Sequence, residues 1–165
     1  MITIKAGDEN AALYINADGK KQELEYSMIQ EYWSYGSYEE IEEYYFNVQG
    51  QYVVGSFLTA DRQGGILLVW DTVSEKIVHV SDGEFVVRTI IFNGSIYSIC
   101  DVMTFVTKEH LEFFKIPFGV MDIQAPGERV AKDANITADD SSHYVLEKRN
   151  GKLVAGYKDD VVVIA

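Results

Sequence analysis

The middle of the chain reads Phe85-Val86-Val87-Arg88-Thr89-Ile90-Ile91-Phe92-Asn93-Gly94-Ser95-Ile96-Tyr97-Ser98-Ile99-Cys100. Asn93-Gly94 stands between two runs of β-branched and aromatic residues, and this dipeptide supplies the two positive φ angles of a type I′ turn. We therefore predict two antiparallel strands, 85–92 and 95–102, joined by a two-residue turn. Asn150-Gly151 predicts a second hairpin in the same way, between strands 143–149 and 152–157.

The predicted strand 85–92 is apolar on both faces. Strict alternation gives one face Phe85, Val87 and Ile91, and the other face Val86, Ile90 and Phe92. A strand that is buried on both faces needs a packed layer on each side of its sheet. We therefore expect several stacked sheets rather than a one-sided meander.

Turn residues divide the rest of the chain into short elements. Strands are predicted near 2–5, 12–16, 43–48, 51–58, 65–71, 76–81, 103–107 and 161–164, with corners at Asp18-Gly19, Gln49-Gly50 and Asp82-Gly83. Helices are the minority. A capping-box spacing from Ser37 to Glu40 predicts one at 38–45, Thr107 could cap another at 108–114, and Ser27 precedes a third, weaker candidate.

Residues 50–107 resemble the blades of a β-propeller. The segment Gly65-Ile66-Leu67-Leu68-Val69-Trp70-Asp71-Thr72 ends in the Trp-Asp pair of WD-type repeats, and units of about 35–45 residues can be drawn along the chain. The Gly-His partner motif is absent from the sequence. The expected fold is a single mainly β domain, 1–165, in which antiparallel sheets stack as a small propeller-like or sandwich domain with one to three short helices.

The charge balance excludes several classes of partner. Asp and Glu number 26 against 14 Lys and Arg, which gives a formal net charge of -12. Such a surface repels nucleic-acid phosphates and anionic lipid, so neither a nucleic acid nor a membrane is expected as a partner. An acidic surface instead favours fast, salt-sensitive association with a basic protein.

The cysteine count and the N-terminus favour a cytoplasmic location. Cys100 is the single cysteine, which rules out an intramolecular disulfide and fits a reducing compartment. The first residues lack the layout of a signal peptide, and the apolar runs are too short to span a membrane. The apolar strand 161–164 could pair within its sheet or across a dimer, so a monomer or a weak homodimer is expected.

The motifs of catalysis and metal binding are missing. His79, His110 and His143 are far apart, without the short ligand spacing of a zinc site. There is no phosphate-binding glycine loop and no nucleophile elbow, and adjacent acid pairs are usually solvated surface. We therefore expect no catalytic residues, no cofactor and no metal, although a site assembled from distant residues stays open as an alternative.

Residues 23–45 have an unusual composition. This window holds seven Glu, six Tyr and one Trp, with no Lys, Arg or His. Carboxylates can pair with the Arg and Lys of a cationic protein, and aromatic rings add contact area at a low cost in side-chain entropy. The opposing interpretation is a solvated helical face over an aromatic core.

These observations favour a non-catalytic binding protein. The leading hypothesis is an immunity or inhibitor protein, similar to those of bacterial toxin systems, that neutralises a basic toxin or nuclease by occluding its active site. The alternative is a propeller-like interaction scaffold or recognition module. The predicted partner-binding residues are Glu31, Tyr32, Trp33, Tyr35, Tyr38, Glu39, Glu40, Glu42 and Glu43.

Overall fold

A computed structural model describes residues 1–34, 41–60, 64–102, 110–134, 136–137, 144–157 and 160–165. The described chain is mainly β, and its strands form four antiparallel sheets. Sheet A consists of β1 (Ile2–Ala6), β2 (Leu13–Ala17) and β3 (Lys20–Leu24), and the short helix α1 (Tyr26–Gln30) follows it. Sheet B consists of β4 (Ile41–Gln49), β5 (Tyr52–Thr59), β6 (Gly65–Asp71) and β7 (Lys76–Asp82).

The second half of the chain forms two more sheets. Sheet C consists of β8 (Val86–Phe92), β9 (Ser95–Val102), β10 (His110–Pro117), β11 (Glu128–Val130) and β12 (Ile136–Thr137). Sheet D consists of β13 (Val145–Arg149), β14 (Lys152–Tyr157) and β15 (Asp160–Val163). Sheets A, B and D pair in sequence order, and in sheet C both β11 and β12 pair with β10. The mainly β class of stacked antiparallel sheets is therefore confirmed.

The Asn-Gly turns have the predicted backbone geometry. Asn93 and Gly94 have φ angles of 47° and 77°, and Asn150 and Gly151 have φ angles of 51° and 77°. These values match the two left-handed positions of a type I′ turn. Both hairpins, β8–β9 and β13–β14, therefore close where the sequence predicts.

Three apolar layers hold the four sheets together. The layer between sheets A and B contains Leu13, Ile29, Phe57 and Trp70 among its buried residues. Further layers of buried side chains lie between sheets B and C, including Val54, Val69, Val86, Ile96 and Ile116, and between sheets C and D, including Val87, Phe92, Ile99, Phe113 and Leu153. Sheets B and C are thus buried on both faces, as strand 85–92 predicts.

The assignment of side chains to the two faces of strand 85–92 is corrected by a β-bulge. Val86 pairs with Cys100 and Arg88 with Ile99, so Val87 is the extra residue. A bulge resets the alternation of side chains. Val87 therefore packs with Ile90 towards sheet D, whereas strict alternation places these two residues on opposite faces.

Two of the predicted helices are corrected, and the weakest candidate is the one that forms. Residues 41–45 belong to β4, and 110–114 belong to β10, because each segment pairs with a neighbouring strand. These backbone pairings outweigh local capping signals. Residues 38–40 and the predicted strand 103–107 lie outside the described residues. Strands 20–24, 128–130 and 136–137 were not predicted, and the described helix α1 begins at Tyr26.

The first strands of successive sheets lie side by side. β1 contacts β4, β4 contacts β8, and β8 contacts β13. Gln49 in β4 links two of them, since its Nε2 donates to the carbonyl oxygen of Thr89 at 3.1 Å and its Oε1 accepts from the amide of Ile91 at 2.6 Å. The four sheets therefore follow one another along the stack in chain order. Helix α1 has five residues, and no helix in the described part of the chain is long and apolar enough to span a membrane.

Trp70 of the Trp-Asp pair joins sheet B to sheet A. Its Nε1 donates to Oε1 of Gln22 at 2.8 Å, and Nε2 of Gln22 donates to the carbonyl oxygen of Thr72 at 2.8 Å. Gln22 is only 4% exposed, so both hydrogen bonds lie in the interior, where an unpaired amide would be costly. Trp70, the first residue of the Trp-Asp pair, therefore helps to hold sheets A and B together.

Glycine is needed at Gly94 for its backbone conformation and at Gly55 for close packing, so alanine substitutions at the two positions should differ in their cost. Gly94→Ala should cost about 1–2 kcal/mol because a left-handed φ disfavours a Cβ, although the surrounding space is open. Gly55→Ala should cost more than about 3 kcal/mol, since its Cβ would meet the Tyr45 carbonyl oxygen on the paired strand. Urea unfolding of both variants measures these costs. An equal or smaller loss for Gly55→Ala would contradict the packing described for β4 and β5.

His79 makes stability depend on pH. Burial lowers its pKa from 6.5 to about 4, and Nδ1 of its neutral ring accepts from the Gly119 amide at 3.0 Å. The unfolded state therefore binds a proton first as pH falls from 6.5 towards 4, and about 3 kcal/mol of stability is lost in that window. His79→Gln should lose less stability than the wild type over the same window, measured by urea unfolding at each pH. Identical losses of stability in the wild type and in His79→Gln would rule out His79 as the source of the pH dependence.

Candidate functional site

The structure describes five of the nine predicted partner-binding residues. Tyr35, Tyr38, Glu39 and Glu40 lie outside the described residues. Glu31 and Tyr32 follow directly after helix α1, and Glu42 and Glu43 lie in β4. The fifth, Trp33, lies in the apolar layer between sheets A and B.

Trp33 is part of the core. Its side chain is 8% exposed and packs with Ile29 in the layer between sheets A and B. The Trp33 amide donates to the carbonyl oxygen of Ile29 at 3.0 Å, so the helical turn brings both side chains to one face. The prediction that this ring belongs to an exposed docking face is therefore corrected, because four-residue spacing turns it inward.

Glu31 and Tyr32 border a surface groove beside helix α1. The groove has a volume of about 360 Å³ and is also lined by Met28, Trp70 and Glu75. Glu31 is exposed, and Tyr32 is half-buried against the layer between sheets A and B. Glu75 pairs with Lys20 at 2.8 Å, so this carboxylate already has a cationic partner.

Glu42 and Glu43 lie at a β-bulge at the start of β4. Ile41 pairs with Thr59 and Glu43 with Leu58, so Glu42 is the extra residue and is exposed. Glu43 is half-buried and accepts a hydrogen bond from the Tyr45 hydroxyl at 2.7 Å. The described residues of the predicted face are thus divided between the groove beside α1 and the first strand of sheet B.

A second depression lies between sheets B and C, and we call it the acidic cleft. Its volume is about 260 Å³, and its lining includes the half-buried carboxylates Asp82, Glu84 and Glu112. The rings of Phe85 and Phe114 also line it, as do the buried side chains of Val86, Cys100 and Ile116. The cleft therefore combines acidic groups with an aromatic and aliphatic wall.

Two elements position the carboxylates of the cleft. Asp82 ends β7, and its Oδ1 accepts from the Glu84 amide at 3.0 Å, which fixes the corner between β7 and β8. Glu112, Phe114 and Ile116 alternate along β10, so all three side chains point towards sheet B. The corner at Asp82-Gly83 was predicted from the sequence. The position of Glu112 was not, because residues 108–114 were predicted to form a helix rather than a strand.

Cationic groups of sheet C lie close to the acidic cleft. Glu112 Oε1 is 3.0 Å from His110 Nε2 and 3.4 Å from an Arg129 guanidinium nitrogen. Lys115 itself lines the cleft, and its ammonium lies 3.7 Å from Glu128, a carboxylate outside the lining. No group of three or more His, Cys, Asp or Glu in the described ranges could hold a metal ion. At Glu112 the described residues show a carboxylate paired with cationic side chains.

The comparisons with known proteins give no match: the chain matches no protein-family model, no curated protein and no solved structure.

Cys100 should be an unreactive thiol. Burial raises its pKa far above the usual range, and the charges of Asp82 and Glu112 raise it further. Since the thiolate is the reactive form, a disulfide reagent at pH 8 should label the native protein about 100-fold more slowly than the unfolded protein in guanidinium chloride. Cys100→Ser is the control for background signal. Rapid labelling of the native chain would show that the thiol is accessible and ionised.

Proposed function

We propose that this chain is a non-catalytic acidic binding protein that neutralises a basic toxin or nuclease by covering its active site. The observation that carries the proposal is the acidic cleft, where Asp82, Glu84 and Glu112 surround a depression between two packed sheets. Carboxylates held on strands and a tight corner need little reordering on binding, which favours association. A cationic active-site cleft is the complementary surface.

The overall charge supports the same proposal. With a net charge of -12, the chain attracts a basic protein from a distance and steers it before contact. The groove with Glu31 and Tyr32 adds a second acidic and aromatic surface, and Glu42 adds an exposed carboxylate on β4. In the proposed mechanism these carboxylates take the place of substrate phosphates and exclude the substrate sterically.

The proposal is tested with basic toxins and nucleases from the source organism, purified and assayed singly. We expect at least one of them to be inhibited stoichiometrically. Its affinity should fall as salt rises from 50 to 300 mM, because screening weakens charge steering. Glu84→Lys in the cleft and Glu31→Lys in the groove should each weaken binding, by about tenfold where the carboxylate is in the interface.

Glu23→Lys provides a matched control, since it makes the same change of charge on the exposed face of sheet A. Equal effects of all three reversals would indicate general attraction rather than a defined interface. The proposal is wrong if no basic protein of the panel is inhibited, or if inhibition does not depend on salt.

The alternative is a recognition module that binds without inhibiting. It is favoured by the strand order of sheets A, B and D, in each of which consecutive strands pair as a simple meander, and by the cleft between sheets B and C. Binding assays alone would not separate the two functions. The activity of the bound partner distinguishes the two functions. A recognition module leaves that activity unchanged at saturation, whereas an inhibitor abolishes it.

A further inference from the structure

The acidic cleft is a half-open depression with an apolar wall, which a simple cluster of surface acids lacks. Its volume of about 260 Å³ is enough for one long side chain and too small for a folded segment. Phe85 and Phe114 contribute aromatic rings, and buried Val86 and Ile116 contribute aliphatic surface. Such a wall suits the methylene stem of a long side chain, while carboxylates suit its charged head.

We propose that the acidic cleft is an arginine pocket, in which one arginine of the basic partner inserts its guanidinium between the carboxylates and the aromatic wall. This inference rests on the proposed function and names the partner group that the cleft receives. Guanidinium is planar and presents five donors, so it can bond to more than one carboxylate and stack on a ring at once. Ammonium has no flat face to stack.

The chain itself shows one of these carboxylates, Glu112, beside a guanidinium. A nitrogen of Arg129 lies 3.4 Å from Glu112 Oε1, at a carboxylate that lines the cleft, and 41% of the Arg129 side chain is exposed. An incoming arginine would share Glu112 with Arg129 and find Asp82 and Glu84 on the corner of β7 and β8. The pocket thus extends a pairing that the fold already contains.

The effect of the carboxylates on Cys100, which lines the cleft, agrees with this assignment. Burial contributes most to the raised pKa of Cys100, and the charges of Asp82, Glu112, Glu84 and Asp101 contribute after it. These carboxylates therefore act on the buried side of the cleft, where Cys100 lies. A cation in that position would be stabilised by the same charges.

The experiment titrates the full chain with three capped tripeptides, acetyl-Gly-Arg-Gly-amide, its lysine analogue and its citrulline analogue, and follows amide chemical shifts by NMR. Citrulline has the shape of arginine without the charge. We expect the arginine peptide to bind several-fold more tightly than the lysine peptide, with shifts at the cleft, and the citrulline peptide not to bind. Equal affinities for arginine and lysine, or shifts elsewhere, would overturn the pocket.

Three variants separate charge, stacking and background. Glu84→Gln should reduce arginine affinity several-fold, and Phe114→Leu should reduce the preference for arginine over lysine while an attraction to both remains. Glu23→Gln removes the same charge from the face of sheet A and should leave affinity unchanged. Amide spectra of each variant establish that it is folded. Unchanged arginine affinity in folded Glu84→Gln and Phe114→Leu would overturn the inference.

The two proposals fail in different ways. If a basic toxin or nuclease is inhibited but the arginine peptide does not bind in the cleft, the arginine pocket is wrong and the inhibitory function stands. If the arginine peptide binds in the cleft but no basic protein is inhibited, the pocket stands and the inhibitory function is wrong.

Discussion

Burial of sheets B and C on both faces is the constraint on which the rest of the structure depends. Alternate residues of β5 and β6 face two different layers, so that Val53 packs towards sheet A and Val54 towards sheet C. Neither sheet could remain in water on one side without exposing a full row of apolar residues. Sheets A and D are therefore needed as covers, and four short sheets form one stack.

The same constraint shapes the acidic cleft. The chain leaves sheet B at Asp82 and begins β8 at Val86 on the far side of the apolar layer. Because only residues 83–85 connect the two strands, the turn between them is tight. Phe85 takes a left-handed φ of 62°, which is rare for a bulky residue, and the bulge at Val87 follows at once. The Asp101 amide bonds to the Phe85 carbonyl oxygen at 2.9 Å and holds this geometry. The carboxylates and the Phe85 ring therefore lie together at the connection between sheets B and C.

Local chemistry made the hairpins predictable, and long-range pairing made the site unpredictable. Asn93-Gly94 specifies a turn by its own backbone preferences, whatever the rest of the chain does. The segment around Glu112 carries a helix-like signal, and only its pairing with β9 makes it extended. Trp33 likewise stands among acidic and aromatic neighbours in sequence, yet the turn after Ile29 directs it inward. The cleft joins residues some 30 positions apart, which no local pattern reveals.

The cationic neighbours of the cleft reduce the free energy that a partner can gain by binding its carboxylates. His110 and Arg129 lie beside Glu112, and they offset part of the repulsion between carboxylates that share a poorly solvated depression. A partner arginine gains only the difference between its own contacts and those already present, since binding free energy is a difference between two states. Stacking on the rings of Phe85 and Phe114 would add to the pairing of charges. Selectivity at such a site therefore depends on the apolar wall as much as on the acids.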